Sequence, residues 1–114
     1  MRQQARRWHR DNPAFMEEAL QSMDRCQDAA ERDLARRWHT EALDIGFWTK
    51  KDVVQYPLAC LHAGGSLITV PSFCQYLDQF TEADKDIMQK LLDTAPLHYW
   101  TYLKNKTAEG RWTP

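Results

Sequence analysis

The sequence predicts an all-α fold: a compact bundle of five or six short helices with no sheet. Three observations carry this expectation. Apolar residues recur at helical spacing in segment after segment, and most segments open on a capping residue or proline or close on glycine. Only "SLITV" has strand-like composition, and one short strand cannot make a sheet. The 114 residues fit a single domain with one modest core.

Residues 1–11 are polar and basic, with Arg2, Arg6, Arg7 and Arg10 and no acid before Asp11. They read as an N-terminal segment ahead of a helical domain spanning residues 12–104. Asn12-Pro13 reads as a helix start, because Asn caps free N–H groups and proline suits the first helical position. Phe15, Met16, Ala19, Leu20 and Met23 follow in phase, with Glu17 and Glu18 in the favourable first turn, and carry helix one to about Gln27. Helix two runs from about Asp28 to Asp44 on the stripe Leu34, Ala35, Trp38, Ala42 and Ile45. Gly46 stands where a left-handed closing residue is wanted.

Thr49, answered by Asp52 three residues on, predicts a capping box. The helix it opens carries Val53, Val54, Leu58 and Leu61 and ends at Gly64-Gly65, with a kink expected at Pro57. Residues 66–70 read as an extended linker. Pro71 opens a short helix through Phe73, Tyr76 and Leu77. Thr81 and Asp84 repeat the cap pattern ahead of Ile87, Met88, Leu91 and Leu92. Pro96 starts a last helix, and residues 105–114 read as a flexible tail.

Composition narrows the function. At 43% hydrophobic and 27% charged, the chain is too apolar to be disordered. A net charge of −1 sets up no overall field toward nucleic acid or acidic lipid. The three cysteines, Cys26, Cys60 and Cys74, are odd in number and lack CxxC spacing, which points to reduced thiols and a cytoplasmic protein. No signal-peptide core follows the arginines, and no apolar run approaches the roughly 18 residues of a membrane span.

Chemical motifs are missing. Cys60 and His62 lie two apart, but neither CxxC nor HxxxH occurs, so no metal site is expected. Ser66 and Ser72 sit in no nucleophile elbow. "HAGGSL" is a glycine turn rather than a phosphate loop, since no Lys-Ser/Thr follows it. The expectation is a protein that is not an enzyme and holds no cofactor.

Ala-Arg-Arg-Trp-His occurs twice, in "QARRWHR" at 4–10 and "LARRWHT" at 34–40. In the second copy Trp38 shares a helix face with Leu34, Ala42 and Ile45 and reads as core, leaving Arg36, Arg37 and His39 toward solvent. The first copy has no apolar stripe. Trp8 either docks on the bundle as a lone anchor or stands exposed for a partner, and docking is preferred because an exposed Trp is unusual without a use. The likeness ends with the pentapeptide, whereas a structural repeat would recur over a whole unit.

One segment is more distinctive: "EALDIGFWTKKDVVQYPLACLHAGGSLITVPSFCQYLDQF". An Ala-x-x-Ile-Gly-x-x-Thr-x-x-Asp-Val turn joins two helices, and a Gly-Gly break then leads to a Val-Pro-x-Phe run. The segment resembles the helical C-terminal lobe of type VI secretion adaptor proteins, chaperones that load toxic effectors onto the secretion spike. The resemblance covers residues 41–92 and rests on Ile45, Gly46, Thr49, Asp52, Gly64, Gly65 and Pro71, which would specify the lobe's turns and caps. It implies a protein partner, an effector or the spike. The family's N-terminal α/β lobe has no counterpart in this sequence, so the resemblance implies the helical lobe alone.

The residues therefore predict a protein-interaction module, with aromatic anchors Trp8, Trp48, Tyr99, Trp100 and Trp112 and polar partners Arg6, Arg7 and Arg10. Trp100 has a competing core reading beside Leu97 and Leu103. The alternative is a small immunity protein that covers a toxin's active site, which would share the fold and the lack of catalytic motifs. Nucleic-acid binding through the N-terminal arginines is disfavoured by the overall charge, because such domains are usually basic.

Overall fold

The computed structural model describes residues 2–25, 27–81 and 84–94. Six α-helices fill these residues: α1 (Arg2–Asp11), α2 (Pro13–Gln21), α3 (Ala29–Ile45), α4 (Lys50–Ala63), α5 (Pro71–Leu77) and α6 (Ile87–Thr94). A single 3₁₀ turn, Leu67–Thr69, precedes α5, and there is no strand among the described residues. The all-α bundle is the architecture that the periodicity predicts. The last helix expected from Pro96, the tail, and Tyr99, Trp100 and Trp112 lie outside the described residues.

The basic segment is itself a helix. It ends at Asp11 because Pro13 disfavours helical geometry at the residue before it, and Asn12 sits at φ −128°, ψ 59°. Asn12 does not cap α2 with its side chain. Its Nδ2 instead donates to the Trp8 carbonyl at 2.7 Å, and its backbone N–H donates to the His9 carbonyl, closing α1. The expected N-cap thus works as a C-cap for the helix before it.

Helix α2 stops at Gln21, short of the expected Gln27. Asp24 takes a left-handed φ of 59°, and the Arg25 N–H reaches back to the Leu20 carbonyl at 2.8 Å. This is the closure that glycine usually makes, but Asp tolerates the conformation too. Asp28 then caps α3 by accepting the Glu31 N–H at 2.7 Å. Gly46, at φ 118°, closes α3, with the N–H groups of Gly46 and Phe47 on the Leu43 and Ala42 carbonyls.

Helix α4 is the centre of the bundle and packs against α2, α3, α6 and the 3₁₀ turn. Val53, Tyr56, Cys60 and Ala63 join Trp38, Leu43, Phe47, Leu67, Phe73, Met88 and Leu91 in the main core. A smaller cluster of Met16, Leu20, Ala35 and Val54 fastens α2 to α3 and α4. Pro57 is buried inside α4, and the helix runs unbroken past it from Lys50 to Ala63. Gly64 at φ 85° ends α4, with the Gly64 and Gly65 N–H groups on the Cys60 carbonyl. The run expected to be an extended linker folds into the 3₁₀ turn, held by Thr69 and Val70 N–H bonds to the Ser66 and Leu67 carbonyls.

The capping box at Thr49 forms only in part. The Thr49 hydroxyl oxygen accepts the Asp52 N–H at 3.3 Å, and the same hydroxyl donates to the Asp52 carboxylate at 3.1 Å. The other Asp52 oxygen accepts the Met88 N–H at 2.8 Å, across 36 positions of sequence. Asp52 is 1% exposed. It therefore caps α6 from α4. Thr81 and Asp84, expected to open that helix, make a separate tight turn in which Asp84 accepts the Thr81 N–H at 2.7 Å. Asp86 follows at a left-handed φ of 56°, and α6 begins only at Ile87.

Replacing Asp52 by Ala removes two hydrogen bonds to a charged group and leaves the buried Met88 N–H unpaired. Urea denaturation of Asp52→Ala should show a loss of about 3 kcal/mol, and a loss under about 1 kcal/mol would contradict the capping role. Gly46→Ala should lose about 1 kcal/mol through its left-handed backbone alone, because no atom lies within 4 Å of an added Cβ there.

Candidate functional site

Successive residues on a helix point about 100° apart, and on α1 this separates Trp8 from His9. His9 turns into the bundle and is 2% exposed, while Trp8 stays 44% exposed on the flank. The Trp8 ring meets the Phe15 ring edge-on at 5.7 Å. The Lys50 ammonium sits 5.9 Å from the Trp8 centroid and 5.5 Å from that of Phe15, within reach of a cation–π attraction. Trp8 thus rests against Phe15 and beneath Lys50 yet keeps 44% of its surface exposed, which combines the two readings its sequence allowed.

The corner between α3 and α4 brings up the facing wall. Gly46 reverses the chain, Phe47 enters the core at 3% exposure, and Trp48 comes out half-buried at the rim. Thr49 and Lys50 then start α4. An open groove of about 510 Å³ runs between Ala5, Trp8 and His9 on one side and Trp48, Thr49 and Lys50 on the other. Its lining is almost entirely carbon. The Lys85 ammonium stacks 5.5 Å from the Trp48 ring centroid, so a second cation borders it.

The structure therefore brings Trp8 and Trp48 together. The arginines go elsewhere. Arg6 donates from Nη2 to the Leu43 carbonyl at 2.7 Å, at the C-terminal end of α3 where a cation is favoured. Arg10 lies 3.7 Å from Asp44. Arg7 is exposed, and with Gln3, Arg6, Arg10 and Asp11 it lines a polar groove on another face of α1. Lys50, Ala5 and His9 line the apolar groove and were not singled out from the sequence. Phasing one helix reveals its own buried face, not which distant segment supplies the opposite wall.

The second pentapeptide divides similarly. Trp38 is core at 5% exposure. Arg36 and Arg37 are exposed, and Arg36 pairs with Glu17 of α2. His39, expected toward solvent, is instead buried at 3% exposure. The reason is α1, whose docking on α3 covers a flank that an isolated amphipathic pattern leaves open. His9 Nδ1 and His39 Nε2 are both buried without a hydrogen-bond partner. Burial, and then the neighbouring His9, push the His39 pKa down from 6.5 to about 4, with Glu17 opposing. Burial and Lys50 lower His9 as well.

A polar knot lies deeper. The Glu41 carboxylate of α3 accepts the hydroxyls of Tyr56 and Ser66, tying α3 to α4 and to the Gly-Gly turn. Burial first, with the bond to Glu41 and the Glu41 charge adding to it, raises the Tyr56 pKa far above its ordinary value. Burial pushes the Cys60 thiol up to about 12, so it stays protonated and unreactive. Among the described residues, no group of three or more His, Cys, Asp or Glu gathers to hold a metal, and no helix is long and apolar enough to cross a membrane.

Comparison of the chain with protein-family models, with curated proteins and with solved structures returned no match.

The histidine shifts set a pH dependence. Both pKa values fall on folding, so the unfolded chain binds more protons in the acid range. The stability from the neutral imidazoles is complete above 6.5 and is lost as pH falls toward about 4. Urea midpoints should drop between about pH 7.5 and about pH 5, and drop less in His39→Gln. An equal drop in both proteins would assign the effect to other groups.

Proposed function

We propose that the protein is a non-enzymatic interaction module that takes an apolar segment of a partner protein into the groove between α1 and the α3–α4 corner. One observation carries this reading: Trp8 and Trp48, separated in sequence by α2 and α3, converge on a single carbon-lined groove with both rings partly open. Large rings held in place by their neighbours bury much area at little entropic cost, and Trp is enriched among the residues that dominate interface energy. Lys50 and Lys85 add positive charge beside the rings, which favours a partner segment carrying a carboxylate next to its apolar anchor.

The resemblance of residues 41–92 to the type VI adaptor lobe supports a secreted effector or the spike protein as the partner, met in the cytoplasm before export. The α3–α4 corner belongs to that region, whereas the wall supplied by α1 lies outside it. Arg6 and Arg10 hold α1 to α3 in this reading, and orientation of the partner falls to the lysines.

Capture from cells of the source organism, with wild-type protein and with Trp8→Ala/Trp48→Ala protein as bait, tests the proposal. A partner retained by the wild type should bind the paired variant at least about 30-fold more weakly, a loss of about 2 kcal/mol, while the variant keeps a cooperative unfolding transition. Equal affinity for both baits would refute the groove as the site. A toxin that loses its activity on binding would favour the inhibitor role over the loading role.

A further inference from the structure

Helix α1 is attached to the bundle in an unusual way. Of its side chains described, His9 alone is buried. The rest of the attachment is the part-buried Arg6 bond to the Leu43 carbonyl, the long exposed Arg10–Asp44 pair, and the contact of the Trp8 and Phe15 rings. The helix is thus held from within by one titratable ring rather than by an apolar stripe. That ring is the histidine of the first Ala-Arg-Arg-Trp-His copy, and the histidine of the second copy, His39 on α3, is buried as well, each with one ring nitrogen that has no hydrogen-bond partner.

We propose that the buried, unpartnered imidazoles of His9 on α1 and His39 on α3 form an acid-labile clasp, and that protonating them frees α1 while α2 to α6 stay folded. The groups around the pair fit this behaviour. Lys50 of α4 adds a second positive charge beside His9. Glu17 of α2 is the carboxylate that acts on His39, but it is already paired with Arg36 of α3. Arg6 on α1 brings further positive charge, while Arg10 is met by the Asp44 carboxylate of α3 at 3.7 Å. A proton added to either buried ring finds no hydrogen-bond acceptor at its unpartnered nitrogen, and on His9 it lies beside the Lys50 charge, so water outside the bundle becomes the better solvent for it.

Helices α2 to α6 share the two apolar clusters, and neither cluster includes a residue of α1. Trp8 leaves with α1, so acid removes one wall of the groove. The inference concerns the attachment of a helix and holds whatever the groove binds.

Amide hydrogen exchange on the purified protein at about pH 7.5 and about pH 5, corrected for intrinsic rates, tests the clasp. Amides of α1 should lose at least about tenfold more protection than those of α4 on acidification. His9→Phe/His39→Leu should abolish that difference. If that protein fails to fold, His39→Gln, which keeps a polar side chain that takes no proton, should reduce it. Protection of α1 that survives at the lower pH overturns the proposal. So does an equal loss in α1 and α4. A loss unchanged in the histidine variants overturns it as well and assigns the effect to the carboxylates of Glu17 and Asp44.

Discussion

The buried carboxylate of Asp52 fixes the position of everything around the start of α4. One oxygen takes the Thr49 hydroxyl and the other takes the Met88 N–H, so the first turn of α4 is joined to the first turn of α6. A carboxyl group at 1% exposure is costly unless its oxygens are hydrogen-bonded, and Asp52 has a donor on each of its two oxygens. Gly46 and the Phe47 ring hold the other side of the same corner. Trp48 lies between these two anchors. Backbone constraints on both sides thus bring it to the rim, where the Lys85 ammonium stacks on its ring.

Against that rigid corner stands a lightly held helix. Helices α2 to α6 are bound by shared apolar clusters, while α1 is bound by arginine caps, an aromatic edge and a buried imidazole. The groove thus has one wall set by the core and one wall with few buried contacts. Elements of the second kind open at lower free energy than the core they rest on. A recognition surface built this way can be tuned through α1 without loosening the bundle.

How much of this was legible in the sequence depends on the range of each interaction. Trp38 in the core, Asp28, Gly46, Thr49 and Gly64 at helix ends, and the helical periodicity are settled within a few residues, and a single chain displays them openly. Asp24 closing α2 was missed because a left-handed Asp leaves no signature that separates it from any surface Asp. Asp52 was read as a local box partner because its second donor lies 36 positions away. His39 was read as exposed because it falls on the flank of the Trp38 stripe, and nothing within its own helix marks the distant segment that covers it. Trp8 and Trp48 were each singled out by residue type, but their convergence needs the α3–α4 turn and the docking of α1 together. In both pentapeptides the histidine is buried, His9 on α1 and His39 on α3.

The central claim is that α1 docks with Trp8 facing the start of α4, because without this there is no groove and no clasp. Nuclear Overhauser spectroscopy of the free protein at about pH 7.5, where neutral imidazoles hold α1 in place, tests it most directly. The account predicts cross-peaks from the Trp8 indole to the Phe15 ring and to the Lys50 side chain. A Trp8 indole that shows cross-peaks only to its own neighbours on α1 would contradict it.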